Sequence, residues 1–365
     1  MILPLLRSLV AIDSVNPALV SGGAGEGEIA AFCAEWLAGH GFEVHRLEET
    51  PGRPSIVGVA KGAGGGPSLM LNGHLDTVGL AGYDGDPLEP VERDGRLYGR
   101  GTYDMKGGLA AIMVAAATAA RQRLRGDVLV ACVADEEHAS SGTAEVLKSF
   151  TADAAVVAEP SDLEVTLAHK GFAWFDVEIQ GRAAHGSRPD LGIDAIAKAG
   201  HLLVALDGWR SEHTHPLLGR GTVHASMISG GREASTYPAT CRVTVEHRTV
   251  PGEDAQAELT ALLDRLAATV PDFRYRLEPG LVRRPFEADR DATIVRTLLA
   301  QAGPAVIRGE PFWTDCALLD EAGIPCLLYG PAGEGAHAAT EWVDLASVER
   351  VARVLAATAV EFCGT

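Results

Sequence analysis

The sequence predicts two domains of unlike architecture: a larger α/β domain on a mostly parallel sheet, and a smaller ferredoxin-like α+β domain inserted into it. Three observations lead there. At 365 residues the chain exceeds what one compact core usually holds. Continuous apolar runs at 128–133, 154–158 and 325–329 have the composition of strands buried on both faces, and helical patterns alternate with them. From about Gly171 to Pro279 the pattern changes to alternating apolar and polar residues, as in a sheet covered on one side only.

The elements follow in order. Residues 1–12 are apolar around Arg7, without a basic start or a small-residue cleavage site. They read as an amphipathic first helix and no signal peptide. Residues 29–38 have helical spacing, and the glycines at 39 and 41 end it. Strands at 55–60 and 68–71 flank the glycine-rich turn 62–66. Residues 106–125 read as a buried, alanine-rich helix whose apolar run, 109–120, is too short to span a bilayer. A strand at 128–133, a helix at 143–150 and a strand at 154–158 complete the first part. The insert holds a strand at 172–180, a helix at 194–206, strands at 222–229 and 240–247, a helix at 254–269 and a strand at 273–277. That β-α-β-β-α-β order is the ferredoxin-like split sandwich. A helix at 292–301, a strand at 325–329 and a helix at 346–362 return the chain to the larger domain. The expected domains are therefore 1–170 with 284–365, and 171–283.

Composition narrows the function. A formal net charge of −18 argues against nucleic acid or an anionic membrane as the main partner. The six cysteines, Cys33, Cys132, Cys241, Cys316, Cys326 and Cys363, are far apart with no C-x-x-C pair, so they read as reduced, buried thiols. A cytoplasmic location is the expectation that follows.

Five clusters of carboxylates and imidazoles sit mostly where the chain leaves predicted strands. His74 and Asp76 follow the strand ending near Leu71, and Glu136 and Glu137 follow Val133. Glu159 follows Ala158, and His337 lies in the loop after Tyr329. Asp104 closes a turn just before the helix that starts at Lys106. Ligands in open α/β sheets gather outside the carboxyl ends of strands. Each residue alone has a plain reading. Asp104 would cap a helix, Glu136 and Glu137 would complement a helix dipole, and a lone histidine would be structural. Together the plain reading weakens. Carboxylates brought to one point repel one another and resist ionisation unless cations sit among them, and imidazole with carboxylate suits zinc.

The segments Gly73-His74-Leu75-Asp76-Thr77-Val78, Gly99-Arg100-Gly101-Thr102-Tyr103-Asp104-Met105-Lys106-Gly107-Gly108, Asp135-Glu136-Glu137 and Glu159-Pro160 occur in this order. They resemble the metallopeptidase superfamily of acetylornithine deacetylase, succinyl-diaminopimelate desuccinylase, aminoacylase and glutamate carboxypeptidase. The resemblance covers nearly the whole chain. It implies a site with two divalent ions, zinc first, with cobalt or manganese as alternatives. Asp104 would bridge the ions, His74 and Glu159 would complete one, and Glu137 and His337 the other. Glu136 would be the general base, and Asp76 would orient His74. The chemistry is consistent with those roles. His74 and Asp76 are two apart and share a side of an extended chain, and a carboxylate behind a ligand imidazole fixes its tautomer. A water shared by two ions about 3.5–4 Å apart ionises near neutral pH, and a carboxylate can take its proton and return it to the leaving amine.

The insert carries further matches. Gly181 with Ala184-His185 fits a G-x-x-A-H pattern, and the resemblance implies that His185 polarises the scissile carbonyl from a dimer partner. Gly230-Gly231 and Tyr237-Pro238 fit a second pattern, but Ser235 stands where the family often has asparagine, which puts that substrate contact in doubt. Arg248 fits a strand end at which arginine pairs with a substrate carboxylate; its plain reading is a surface salt bridge. Thr314 is the remaining candidate carboxylate contact. Thr340-Glu341 departs from the asparagine or aspartate that commonly precedes the glutamate. His213 and His215 form an H-x-H pair in a helix-to-strand loop. The expected function is metal-dependent release of an acyl group from a small N-acyl amino acid, by a homodimer whose insert serves as dimerisation lid. A dipeptidase or glutamate-type carboxypeptidase is the alternative. A non-catalytic metal-binding protein would have no need of Glu136 or Asp76.

Overall fold

The structure is a computed structural model that describes residues 2–364; Met1 and Thr365 lie outside the described residues. The chain folds into two compact units. The first takes the chain up to Leu167, then Ala288–Arg308, and again from Thr314; the second is Ala168–Glu287 with Gly309–Trp313. Residues 309–313, which the sequence suggested for the larger domain, group with the second unit. There the carbonyl of Glu310 accepts the Lys170 N–H at 3.0 Å, and the Trp313 indole donates to the Arg284 carbonyl at 3.1 Å.

In the first unit the strands lie in the order Glu43–Leu47, Ser55–Ala60, Val128–Val133, Leu69–His74, Ala154–Val157, Cys326–Leu328, Val165–His169. The central pairings, Leu69–His74 with its two neighbours and Cys326–Leu328 with Ala154–Val157, are parallel. The flanking pairs are antiparallel. Parallel alignment sends the carboxyl ends of four strands to one edge, and the chemistry-bearing loops leave from that edge. Val128–Val133 and Ala154–Val157 are buried at every position, as their unbroken apolar runs require.

The helix expected at 106–125 ends at Ala119. The carbonyls beyond it serve the glycine-rich loop instead: Leu124 accepts the Ala63 N–H at 2.9 Å and Arg125 accepts that of Gly64 at 2.8 Å. Small residues let this helix, Gly107–Ala119, lie close to its neighbours. A Cβ on Gly108 would stand 2.0 Å from the Ala158 carbonyl oxygen, so only glycine fits there. The long helix Leu345–Gly364 packs on it and buries Val348, Val351, Leu355 and Ala359 in the shared core.

A second, antiparallel sheet was not apparent in the sequence. Its order is Gly333–Glu334, Trp342–Asp344, Arg96–Tyr98, Val91–Arg93. Tyr98 pairs with Trp342, which sets the turn ending at Asp104 beside the loop carrying His337. Among the described residues no helix is long and apolar enough to cross a membrane.

The second unit is an antiparallel sheet in the order Thr222–Gly230, Thr240–Thr249, Gly171–Gln180, Arg274–Arg283, which is the ferredoxin-like arrangement. Helices Ala195–Asp207 and Ala255–Thr269 cover one face, over Phe175, Val177, Val243, Val245, Leu202 and Leu263. Asp194 and Asp254 cap those helices by accepting the Ala197 and Ala257 N–H groups, each cap worth about 1 kcal/mol.

Candidate metal centre

His74 is the last residue of its strand and is buried, in register with Val133. Its Nδ1 lies 2.9 Å from the backbone carbonyl of Asp76. A carbonyl only accepts, so Nδ1 carries the proton and Nε2 keeps its lone pair in the neutral ring. That nitrogen faces Asp104 Oδ1 at 3.1 Å and Glu159 Oε1 at 3.4 Å. The Asp76 carboxylate, expected behind the ring, stands 3.7 Å from Nδ1, beyond a hydrogen bond. It accepts instead the N–H groups of Glu136 and Glu137, each at 3.1 Å, and Asn16 Nδ2 at 2.7 Å. Asp76 thus fixes His74 through its backbone and the 136–137 segment through its side chain.

Asp104 presents its two oxygens to different imidazoles. Oδ1 faces His74, and Oδ2 lies 3.3 Å from His337 Nε2. The same nitrogen of His337 is 3.0 Å from Glu137 Oε2. The other Glu137 oxygen is buried without a hydrogen-bond partner. Two donor triads, His74 with Glu136 and Glu159, and His74 with Asp104 and Glu137, each bring their ligand atoms within 4.8 Å of one another. An orphaned buried carboxylate oxygen among imidazoles and carboxylates is a donor set that fits divalent cations.

The electrostatics agree. Burial, then the neighbouring Glu159 charge, pushes the Glu136 carboxyl well above its ordinary range, and burial raises Glu159 likewise. Burial and then Asp104 push Glu137 up to about 7. Hydrogen bonds with Asp104 and Glu137 carry His337 up to about 10. Burial alone would raise Asp104, but His337 and His74 hold it below the usual range. Protons therefore occupy the space that a cation takes. Cation uptake near pH 7 is expected to release protons, and affinity to fall from pH 8 to pH 6, because below its raised pKa Glu137 is protonated and cannot ligate. Calorimetric titration in buffers of different ionisation enthalpy reads the release; pH-independent affinity with no release would contradict it.

Several residues that build the site had no role assigned from the sequence, although Arg100 and Glu341 lie in segments singled out there. Glu341 is buried; its oxygens accept the N–H groups of Gly101 and Tyr103, each at 2.9 Å, and of Asp104 at 3.1 Å, with Arg100 Nη1 at 2.8 Å. Arg100 Nη2 reaches the Ala338 carbonyl at 2.9 Å, tying the Asp104 turn to the His337 loop. Arg53 binds both oxygens of Glu26 at 2.6 Å and reaches Asp135 at 2.9 Å, beneath the Glu136 loop. Asp315 is buried, accepts the Thr143 hydroxyl at 2.6 Å, and is pushed up to about 6 by burial. The Thr314-Asp315 pair was a signal for it in the sequence, whereas Arg53 and Glu26, with partners distant in sequence, leave no local pattern. Thr314 itself is buried, with its hydroxyl accepting the Cys316 N–H at 3.3 Å just ahead of the helix Cys316–Glu321.

The remaining candidates are in the second unit. His185 is exposed, and its Nδ1 accepts the Ser187 N–H at 3.2 Å, which leaves the ring proton on Nε2. The Ser235 carbonyl accepts the Gly186 N–H at 2.6 Å, so position 235 supports the His185 loop through its backbone. Arg248 pairs with Glu246 at 2.7 Å and lies over the Phe172 ring.

The chain matches the family model described as Peptidase family M20/M25/M40 over residues 70–361. It is 31% identical to an acetylornithine deacetylase of Myxococcus xanthus, over 99% of this chain and 98% of that protein. It is 27% identical to an N-formyl-4-amino-5-aminomethyl-2-methylpyrimidine deformylase of Bacillus subtilis, over 90% and 88% of the two chains. Among solved structures, a tripeptidase from Staphylococcus aureus superposes with a TM-score of 0.83 at 20% identity, covering 100% of this chain and 98% of that one.

Proposed function

The chain belongs to peptidase family M20/M25/M40, and on that premise we propose that this metal-dependent amide hydrolase removes the acyl group from an N-acyl amino acid. The observation that carries the catalytic part is the disposition of Asp104, one oxygen toward His74 and the other toward His337. In this reading His74, Asp104, Glu137, Glu159 and His337 hold two divalent ions, with zinc favoured by the donor set over cobalt or manganese. Such ions, when bound, supply Lewis acidity and acidify a water.

The chain's own groups do the rest. Glu136, positioned by the Asp76 carboxylate on its N–H, takes the proton of the attacking water and delivers it to the leaving amine nitrogen. Its raised affinity for a proton suits a group that must both take and give one at neutral pH. His185 donates its Nε2–H to the carbonyl oxygen as negative charge develops there. Arg248 exchanges Glu246 for the substrate carboxylate.

Acyl release is favoured by the similarity to acetylornithine deacetylases and a deformylase, and the amino acid by the deacetylases alone. The peptidases among the structural neighbours supply the second reading, a dipeptidase or carboxypeptidase. A panel of N-acetyl, N-formyl and N-succinyl amino acids against dipeptides separates the two. The proposal expects higher kcat/KM on an N-acyl amino acid, and preference for dipeptides would overturn it.

A homodimer is part of the proposal. The edge strand Thr222–Gly230 exposes Met227 and Ile228, and the helix Ala195–Asp207 exposes Ile196 and Val204, whose side chain is 75% exposed. An unpaired strand edge flanked by apolar side chains suits a two-fold contact. His185 then serves the partner's site. Mixing His185→Ala with Glu136→Gln chains is expected to restore part of the activity, because a mixed dimer holds one complete site. No recovery despite demonstrated subunit exchange would rule out action in trans. All six cysteines are free and buried, as suits a reducing compartment such as the cytoplasm.

A further inference from the structure

The second unit contains a polar cluster that the hydrolytic reaction does not use. His247 lies on the strand Thr240–Thr249 and is 2% exposed. Its Nε2 is buried without a hydrogen-bond partner. That nitrogen points at two carboxylates, 3.8 Å from Glu253 Oε2 and 3.8 Å from Glu258 Oε2. These separations are too long for hydrogen bonds. A buried acceptor left in this way costs folding free energy unless something else fills the gap.

We propose that His247, Glu253 and Glu258 form a further divalent-cation site, separate from the hydrolytic centre. A zinc ion bound at about 2.0–2.2 Å by nitrogen and oxygen in tetrahedral geometry sets its ligand atoms about 3.4 Å apart. The observed 3.8 Å closes to that value by a shift of a few tenths of an ångström in side chains alone.

The surroundings hold each donor in place. The His247 ring lies against the first turn of the helix Ala255–Thr269, with Nε2 buried and unpartnered. Trp209 stands edge-on to the ring at 4.9 Å between centroids. Burial keeps the imidazole pKa below its ordinary value, so near neutral pH the ring is uncharged and Nε2 has a free lone pair. The fully buried Glu253 side chain is oriented by the Val250 N–H at 2.8 Å and the Ser211 hydroxyl. Glu258 feels the negative charges of Glu253, Asp254 and Glu212, a local excess that a cation relieves. The cationic side chains nearby are Lys170, whose ammonium donates to the Arg220 carbonyl, and Arg220, whose guanidinium donates to the Ser211 carbonyl at 2.7 Å.

This assigns a role within the H-x-H pair. His213 is exposed, its N–H bonded to the same Ser211 hydroxyl that binds Glu253, and it is the candidate fourth ligand. His215 points elsewhere, 3.0 Å from Glu287. A cation here would join the end of a sheet strand to the first turn of the helix Ala255–Thr269 and to the loop at 211–213.

The test is a zinc titration of the full-length protein against a competing chelator dye, comparing wild type with His247→Gln and Glu258→Gln. Both variants are expected to bind one ion fewer per chain, or to bind that ion at least tenfold more weakly, with amide hydrolysis unchanged. The reading is a difference of one ion, whatever number the first unit holds. Glu258 is partly exposed on a helix, so Glu258→Gln carries the test should His247→Gln fail to fold. Equal stoichiometry and affinity in wild type and variants would overturn the proposal.

Discussion

Glu136→Gln is expected to keep its metal ions and to lose hydrolysis by about 10²–10⁴-fold, or more if the group serves both proton transfers. The carboxamide matches the carboxylate in shape but cannot accept the water's proton. The backbone at 136 remains held by Asp76, because that hydrogen bond uses the main-chain N–H and survives the substitution. Loss of turnover with unchanged metal content therefore isolates the proton-transfer role. Turnover near wild type with intact metal would remove Glu136 from the mechanism.

Asp104→Ala is expected to lose more metal than Glu137→Ala or Glu159→Ala and to fall below detectable hydrolysis. Asp104 faces both imidazoles, so in the proposed arrangement its removal would deprive both ions of a ligand, whereas each glutamate would serve one. The turn should survive, since Glu341 grips it through main-chain N–H groups at 101, 103 and 104. Circular dichroism and thermal melting check that point, and elemental analysis of the three variants reads the metal. Equal losses across the three would contradict a shared position for Asp104.

The convergence of the five proposed ligands was legible because it follows from topology. Parallel strands send their carboxyl ends to one edge, and unbroken apolar runs mark such strands. The strand Val128–Val133 appears with the bounds its composition suggested. The strands Glu43–Leu47 and Val165–His169 escaped, the first because it is partly to fully exposed along its length and carries no apolar run. Asn16, Arg53 and Glu26 also escaped. They meet Asp76 and Asp135 across tens of residues of chain, and a long-range hydrogen bond leaves no spacing to read. The division of labour within Asp76, carbonyl to the imidazole and carboxylate to the base loop, depends on a local turn and not on residue type. His247 looked like an ordinary strand residue, since its unpartnered nitrogen emerges only once the helix Ala255–Thr269 is packed beside it.

The central claim is that Asp104 is shared by two cations at the strand ends. The most direct test is an anomalous-difference map at the zinc edge from crystals of zinc-loaded protein. The account predicts two peaks, each about 2.0–2.2 Å from a different Asp104 carboxylate oxygen, one beside His74 and Glu159 and the other beside Glu137 and His337. A fully loaded, active protein with no peak at Asp104, or with a single one, would contradict it.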